Sequence, residues 1–284
     1  MKRVKLIAVD MDGTLLASDH RTVPEENIRA IRRANDLGVR VAISTGRMLE
    51  DASDFIHRHG LPCMIIAGNG ARASDGPLPE GHIFWRKNLP PDDAHRAVDV
   101  MLASGLLING FEDGRVTTVD YGMNWTYHGV RRGLMTAEYG ESALRAAADR
   151  GILKLFCVSL DASGERDERV SKALAAAREA LPNLSVTSSG RDNVEIIPKD
   201  AGKGAALEAM AKRLKLTCEQ VMAVGDAPND MSMLEYAFHS VAMGNAMPEV
   251  KAVCRYETVT NDECGVARII ERVLAAKEET AWRV

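Results

Sequence analysis

The stretch that decides the fold reads VKLIAVDMDGTL and covers residues 4–15. Its first half is apolar and rich in β-branched residues, which predicts a buried strand that ends at Asp10. Residues i and i+2 of an extended chain project the same way, so the carboxylates of Asp10 and Asp12 can approach one ligand. Gly13 permits a sharp backbone turn, and Thr14 can hydrogen-bond locally. Because adjacent carboxylates repel each other, this stretch favours a site for a divalent cation over an ordinary acidic turn.

Strands and helices alternate on both sides of a central region. After the first strand the pattern predicts a helix from residue 24, a strand over 39–43, a helix over 48–59 and a strand over 63–67. The same alternation returns near residue 200, with a helix over 203–214, a strand over 221–224, a helix over 229–237 and a strand over 240–243. These strands are apolar throughout, which predicts a parallel sheet covered by helices on both faces.

The central region follows a different pattern. Helices are predicted over 92–104 and 167–180, and strands over 106–111, 115–121 and 153–160. The first two strands flank a Glu-Asp-Gly turn and are expected to form a hairpin. This order predicts an α+β module with an antiparallel sheet. We therefore expect a core domain made of residues 1–82 and 189–284, with a second domain, residues 83–188, inserted between its halves.

Two further segments offer groups that suit a phosphate. The second predicted strand ends at Thr45, Gly46 and Arg47, where a hydroxyl and exposed backbone amides can hold phosphate oxygens. Arg47 is expected either to clamp a phosphate or to pair with a surface acid. Lys203, between two glycines at a predicted helix start, can neutralise phosphoryl charge. The chain lacks G-x-x-x-x-G-K-[ST], so it does not contain the P-loop of nucleotide hydrolases.

A second carboxylate-bearing strand end reads GDAPND and covers residues 225–230. Asp226 is placed as a metal ligand, with Asn229 and Asp230 on the following turn to orient it or its waters. Ligands of open parallel sheets bind beyond the carboxyl ends of the strands, so these groups are expected to meet those of the first strand. Oxygen ligands favour Mg²⁺ over zinc, and no histidine or cysteine cluster competes.

Composition excludes several classes of protein. The net charge of −4 and the absence of a basic run argue against nucleic-acid binding. The first apolar run is too short for a signal peptide or a membrane span, so we expect a soluble, cytoplasmic protein. The cysteines form no C-x-x-C pair and are expected to be reduced thiols; they are Cys63, Cys157, Cys218, Cys254 and Cys264.

Taken together, the motifs resemble those of the haloacid dehalogenase-like superfamily of phosphohydrolases, and within it the Cof-type sugar-phosphatase branch. The four family motifs match at D-x-D-G-T-L (10–15), T-G-R (45–47), K-G-x-A-L (203–207) and G-D-x-x-N-D (225–230). Three further runs also look like this branch: N-G-A (69–71), M-G-N-A (243–246) and T-N-D-E-C-G-V-A (260–267). In the last run Cys264 stands where the branch usually has an acid. The resemblance covers nearly the whole chain.

The resemblance implies an α/β fold, with a Rossmann-like parallel-sheet core and an inserted α+β cap over about 83–188. Such a cap would close over the site, exclude water and select the leaving group. Asp10 would form an aspartyl-phosphate. Asp12 would protonate the leaving oxygen and then deprotonate the attacking water.

The resemblance also implies a set of binding residues. Mg²⁺ would be held by the carboxylate of Asp10, the backbone carbonyl of Asp12 and Asp226, with Asp230 and Asn229 in support. Thr45 and Lys203 would hold the transferring phosphoryl group. The residues expected to bind substrate are Thr45, Gly46, Arg47, Lys203 and Asn229.

The expected function is that of a Mg²⁺-dependent phosphatase for a small phosphorylated metabolite, acting as a monomer or homodimer without a nucleic-acid or membrane partner. The second aspartate of the first motif argues against dehalogenation, and the lack of membrane spans argues against an ion pump. A phosphomutase of the phosphomannomutase type is one alternative, since such enzymes share these motifs and a similar cap. A catalytically silent sugar-phosphate binding protein is the other, although its expected mark, loss of a motif residue, is absent.

Overall fold

The computed structural model describes residues 3–123, 126–160, 168–188 and 191–281. Its strands are β1 (Leu6–Asp10), β2 (Arg40–Ser44), β3 (Cys63–Ala67), β4 (Arg72–Ser74), β5 (Ile83–Arg86), β6 (Leu107–Glu112), β7 (Arg115–Val119), β8 (Thr136–Tyr139), β9 (Lys154–Val158), β10 (Leu184–Thr187), β11 (Asn193–Pro198), β12 (Val221–Gly225), β13 (His239–Ala242) and β14 (Tyr256–Glu257). Its α-helices are α1 (Glu25–Asp36), α2 (Leu49–His59), α3 (Pro91–Leu102), α4 (His128–Arg131), α5 (Glu141–Arg150), α6 (Glu168–Ala180), α7 (Lys203–Arg213), α8 (Met231–Tyr236), α9 (Pro248–Val253) and α10 (Gly265–Ala281).

These elements form two compact units. The first combines Met1–Trp85 with Gly202–Val284, and the second is Arg86–Ala201. The second unit ends later than the predicted boundary at residue 188, because β11 pairs antiparallel with both β9 and β10. The core domain was predicted to resume at residue 189, and a helix was predicted to begin at residue 167. Both residues lie outside the described ranges.

The first unit is built on a mixed, mainly parallel sheet. Within the described residues it has eight strands, in the order β14-β13-β12-β1-β2-β3-β4-β5. All five residues of β1 are buried, which requires cover on both faces of the sheet. The predicted α/β fold with a helix-covered parallel core is confirmed. The edge differs from the prediction, since β4 runs antiparallel to β3.

The register of the central strands determines which side chains meet. β1 pairs parallel with β12 on one side and with β2 on the other. Asp10 lies beside Ser44, and Val9 lies beside Val224, so the carboxyl ends of the three strands are level. Groups on the loops after these strands are therefore neighbours at one edge of the sheet.

The second unit is an α+β module. In the part of the chain that is described, its sheet has the order β10-β11-β9-β6-β7-β8. β6 and β7 form the predicted hairpin, with Glu112 opposite Arg115. Most pairs are antiparallel as predicted, but β7 and β8 run parallel. A separate apolar core joins this sheet to α3, α5 and α6. This core explains why the sequence of the segment predicts a separate domain.

Across the described ranges, no helix combines the length and the apolar composition that a membrane span requires.

The cysteines divide by exposure. Cys63 on β3 and Cys157 on β9 are buried, whereas Cys218 is exposed. Burial raises the pKa of the Cys63 and Cys157 thiols, because a thiolate is poorly stabilised in apolar surroundings. Thiolate is the reactive form, so the two buried cysteines are expected to be inert.

Thiol labelling of the native protein should therefore be selective. A water-soluble aromatic disulfide should modify Cys218 rapidly, while Cys63 and Cys157 should react only after unfolding. Peptide mapping by mass spectrometry after short and long labelling would identify the sites. Cys218→Ser should remove the fast phase, and rapid native labelling of Cys63 would contradict the packing of β3.

Candidate active site

Three carboxylates and one ammonium group form the centre of the site. Asp10 ends β1, Asp226 follows β12, and Asp230 lies one turn further on. One oxygen from each of these carboxylates lies within 4.8 Å of the others. Lys203, the first residue of α7, donates from Nζ to Asp10 Oδ1 at 2.5 Å and to Asp230 Oδ1 at 2.6 Å. The sequence-predicted residues Asp10, Lys203, Asp226 and Asp230 are thus brought together.

The charges of this cluster do not balance. When all are ionised, three carboxylates face one ammonium group, which leaves a net charge of −2. Burial, followed by the charge of Asp230, raises the pKa of Asp10 well above its usual value. Burial also raises the pKa of Asp226 to about 6, although the Thr14 hydroxyl opposes this shift. Burial opposes the charge on Lys203, but Asp10 and Asp230 together raise its pKa. The cluster offers only oxygen donors and lacks positive charge, so it fits a divalent cation.

Asp230 acts as the support of this cluster. Its Oδ1 accepts from Lys203, and its Oδ2 accepts the backbone N–H groups of Asp226 and Ala227 at 3.0 and 3.1 Å. A Cβ atom on Gly225 would lie 2.6 Å from Asp230 Oδ2, so only glycine allows this approach. Since both oxygens of Asp230 receive protein N–H groups, its side chain orients the Asp226 loop and the lysine.

Asp226 is held from the other end of the chain. Thr14 donates from Oγ1 to Asp226 Oδ1 at 2.8 Å, across 212 residues of sequence. The predicted local hydrogen bond of Thr14 is therefore wrong, because parallel pairing of β1 with β12 brings a distant carboxylate within reach. Gly13 has a φ of +86°, and a Cβ atom there would lie 2.3 Å from Asp226 Oδ2. Glycine at this position serves both the turn and the close approach of the carboxylate.

Asp12, on the turn after β1, is paired with Arg47. Arg47 donates from Nε to Asp12 Oδ2 at 3.1 Å and from Nη2 to Asp12 Oδ1 at 2.6 Å. Both side chains are partly exposed, at 42% for Asp12 and 31% for Arg47. Of the two roles predicted for Arg47, the structure shows a pairing with an acid, and that acid is a motif residue. Such a two-point contact fixes the orientation of the Asp12 carboxylate.

Thr45 anchors a second corner of the site. Its Oγ1 accepts the Arg47 backbone N–H at 3.1 Å, and its carbonyl accepts the Asn69 N–H at 3.0 Å. Asn229, expected near the metal, donates from Nδ2 to Asn69 Oδ1 at 3.3 Å. A Cβ atom on Gly46 would lie 3.1 Å from Asn69 Oδ1. Asn69 thus links two of the motifs, which sequence reasoning missed. The sequence offered two signs of it: Asn69 stands between two glycines after a buried strand, and it opens the N-G-A run that resembles the branch.

The loop that carries Asp12 is held by the side chains of three asparagines. Asn245 and Asn261 belong to two of the further runs that resemble the branch, whereas the sequence analysis did not single out Asn27. Three of its carbonyls each accept a side-chain amide: Gly13 from Asn245 at 2.8 Å, Leu15 from Asn27 at 3.1 Å and Leu16 from Asn261 at 2.9 Å. Asn261 also donates its backbone N–H to Asn245 Oδ1 at 3.0 Å. These contacts hold the wide turn after β1 in place, two of them from the C-terminal half of the chain and one from α1.

Comparison with known proteins agrees with this arrangement. A family profile described as haloacid dehalogenase-like hydrolase matches residues 7–270. The phosphatase YwpJ of Bacillus subtilis (strain 168) is 32% identical, over 95% of this chain and 100% of its own. The 5-amino-6-(5-phospho-D-ribitylamino)uracil phosphatase YcsE of the same organism is 35% identical, over 94% of each chain. A solved haloacid dehalogenase-like hydrolase from B. subtilis superposes with a TM-score of 0.76 at 28% identity, covering 94% of this chain and 99% of that one.

The chain belongs to the haloacid dehalogenase-like hydrolases. Within that family it is a phosphatase, a hydrolase of phosphoric monoesters, as its curated relatives are. The resemblance that the motifs carry, including that to the Cof-type branch, is confirmed.

Replacing Gly13 should test the approach of Asp226 to the turn. In Gly13→Ala the new methyl group would displace Asp226, and phosphatase turnover should fall on the order of 100-fold, as expected when a site group moves by about 1 Å. The measurement is kcat for release of inorganic phosphate by the purified variant.

Gly38→Ala provides a matched control. Gly38 has a φ of +72°, and a Cβ atom there meets nothing within 4 Å. It should therefore lower the free energy of unfolding by about 1–2 kcal/mol through backbone strain alone, with kcat close to the wild-type value. Equal turnover in the two variants would show that crowding at Asp226 is unimportant.

Proposed function

We propose that this phosphatase depends on Mg²⁺ and transfers the phosphoryl group of a small phosphorylated metabolite first to Asp10 and then to water. One observation supports this most strongly. Lys203 holds Oδ1 of the buried Asp10, whereas Oδ2 has no hydrogen-bond donor among the described residues. A carboxylate oriented through one oxygen and open at the other suits nucleophilic attack on phosphorus.

The carboxylates of Asp10 and Asp226 and the backbone carbonyl of Asp12 would hold the metal ion. The cluster's net charge of −2 and its oxygen-only donors support this assignment. When bound, Mg²⁺ would neutralise charge on the phosphoryl oxygens. Asp230 would support the site by orienting the loop of Asp226 through its two backbone N–H groups.

In the first step Asp10 Oδ2 would attack the phosphorus atom. The bond from phosphorus to the ester oxygen breaks, and that oxygen takes a proton from Asp12 as it leaves. Arg47 holds Asp12 by two hydrogen bonds, which orient its carboxyl group. The products are an aspartyl-phosphate and the free alcohol.

In the second step Asp12, now a carboxylate, would take a proton from a water molecule. The resulting hydroxide attacks phosphorus, the bond to Asp10 breaks, and inorganic phosphate leaves. Lys203 stays charged throughout and, together with the Thr45 hydroxyl, would hold the phosphoryl oxygens. Asp10 and Asp12 are then restored to their starting states.

The relatives support a substrate of modest size. YcsE is named for 5-amino-6-(5-phospho-D-ribitylamino)uracil, whose ribitylamino chain carries the phosphate. We propose a sugar phosphate or a similar phosphorylated metabolite as the substrate of this chain.

A panel of phosphorylated metabolites would test the activity and its metal requirement together. With Mg²⁺ present, at least one sugar or polyol phosphate should release inorganic phosphate. A chelator should stop the release, and added Mg²⁺ should restore it, because the carboxylates need a cation to balance them. Full activity with chelator would contradict the metal assignment. Conversion of a hexose 1-phosphate to its isomer with a bisphosphate activator, without phosphate release, would favour a phosphomutase.

Replacing the nucleophile should abolish turnover. Asp10→Asn removes the attacking carboxylate, and kcat should fall on the order of 10³-fold or more. Steady-state phosphate release, normalised to the folded fraction from circular dichroism, would measure it.

Glu50→Gln is a suitable control, because it also breaks a buried ion pair of the first unit. Glu50 Oε1 lies 2.7 Å from Arg72 Nη1, and the two side chains are only 11% and 2% exposed. This variant should lose stability, with the turnover of its folded fraction retained. Near-normal kcat in Asp10→Asn would refute the covalent mechanism.

A further inference from the structure

Ser44 carries a buried hydroxyl with no assigned role. It is the last residue of β2 and is completely buried. Within the described residues its Oγ has no hydrogen-bond partner. A buried hydroxyl without a partner destabilises the folded state, so its presence needs a reason.

The position of Ser44 points to the reaction centre. In the parallel register of β1 and β2, Ser44 lies directly beside Asp10. Paired residues of neighbouring strands project to the same face of a sheet, whereas the next residue along the strand projects to the other. Ser44 therefore shares a face of the sheet with the nucleophile.

The two adjacent hydroxyls also differ in their partners. Thr45 Oγ1 accepts the backbone N–H of Arg47 at 3.1 Å and so takes part in holding its loop. Ser44 Oγ makes no such contact. The family motif draws attention to Thr45, but the register leaves the Ser44 hydroxyl as an uncommitted donor next to Asp10.

Lys203 adds a second donor at the same place. Its ammonium group has three N–H bonds, and its acceptors in the described part of the chain are Asp10 and Asp230. One ammonium N–H and the Ser44 O–H thus remain beside Asp10. Phosphoryl oxygens are strong acceptors, and a phosphoryl group attached to Asp10 would offer them to both donors.

We propose that the Ser44 hydroxyl donates a hydrogen bond to a phosphoryl oxygen while the group is transferred to and from Asp10. Asp10 is the register partner of Ser44, yet the two side chains share no hydrogen bond in the resting protein. The acceptor is therefore the group that arrives during the reaction. This inference rests on the proposed function and adds a catalytic contact outside the four motifs.

Ser44→Ala tests the contact. With p-nitrophenyl phosphate and Mg²⁺, kcat should fall about 10- to 100-fold, the range expected for one lost donor to developing charge. The inhibition constant of orthovanadate, which mimics the five-coordinate transition state, should rise by a similar factor. KM should change less. The melting temperature should stay equal or rise, because an unpaired hydroxyl is removed.

Two further variants separate chemistry from packing. Ser44→Cys keeps the volume but offers only a weak donor, so it should be impaired as Ser44→Ala is. Thr117 on β7 is also buried with an unpaired hydroxyl in the described ranges, and it lies in the second unit. Thr117→Val should raise the melting temperature and leave kcat unchanged.

Binding of inorganic phosphate, measured by calorimetry with Mg²⁺, keeps this test independent of turnover. If wild-type protein hydrolyses no ester yet binds phosphate, and Ser44→Ala weakens that binding about tenfold, the contact stands and the proposed function fails. If Ser44→Ala keeps wild-type kcat and phosphate affinity, the proposal is overturned and the hydroxyl is merely unsatisfied. A lowered melting temperature in Ser44→Ala would overturn it too, since the hydroxyl would then have a partner in the resting protein.

Discussion

The hydrogen-bonded ion pairs of Lys203 with Asp10 and Asp230 are the interaction on which the rest of the structure depends. All three side chains are almost fully buried. An unpaired buried charge costs several kcal/mol, so no member can be accommodated without the others. The lysine opens α7, Asp10 ends β1, and Asp230 follows β12. The pairing therefore brings both ends of the chain to one edge of the sheet, with the second unit inserted between them.

The close approach of these groups depends on residues without functional side chains. Glycine at positions 13 and 225 leaves the space that the carboxylates of Asp226 and Asp230 occupy. Thr14, Asn245 and Asn261 then join the turn after β1 to segments far along the chain, and Asn27 holds it from α1. The catalytic groups are few, but their geometry rests on this wider set of backbone contacts, because a site must hold its groups to a fraction of an ångström.

Much of the fold and part of the site could be predicted from the sequence. Strands that are apolar along their whole length predict a parallel sheet. The site is predicted at the carboxyl edge of that sheet, because one acid ends β1 and another lies just beyond β12. The prediction failed where pairing is decided at long range. The sequence analysis assigned β11 to the core domain, but this strand pairs with β9 of the second unit. Thr14 donates a hydrogen bond to a carboxylate 212 residues away rather than to a local group. For Arg47 the sequence left two roles open, a phosphate clamp or a partner of an acid, and the structure shows its pairing with Asp12.

By itself the sequence determined the family, the α/β core and the residues able to carry phosphoryl chemistry, because these follow from local pattern and from short motifs with characteristic spacing. Only the tertiary structure decided which contacts each of those residues makes. It set Lys203 between Asp10 and Asp230, turned Asp12 towards Arg47, and placed the unpaired Ser44 hydroxyl beside Asp10. The physical reason is that hydrogen-bond partners and burial depend on strand register and on close packing between distant segments, which no local stretch of chain encodes.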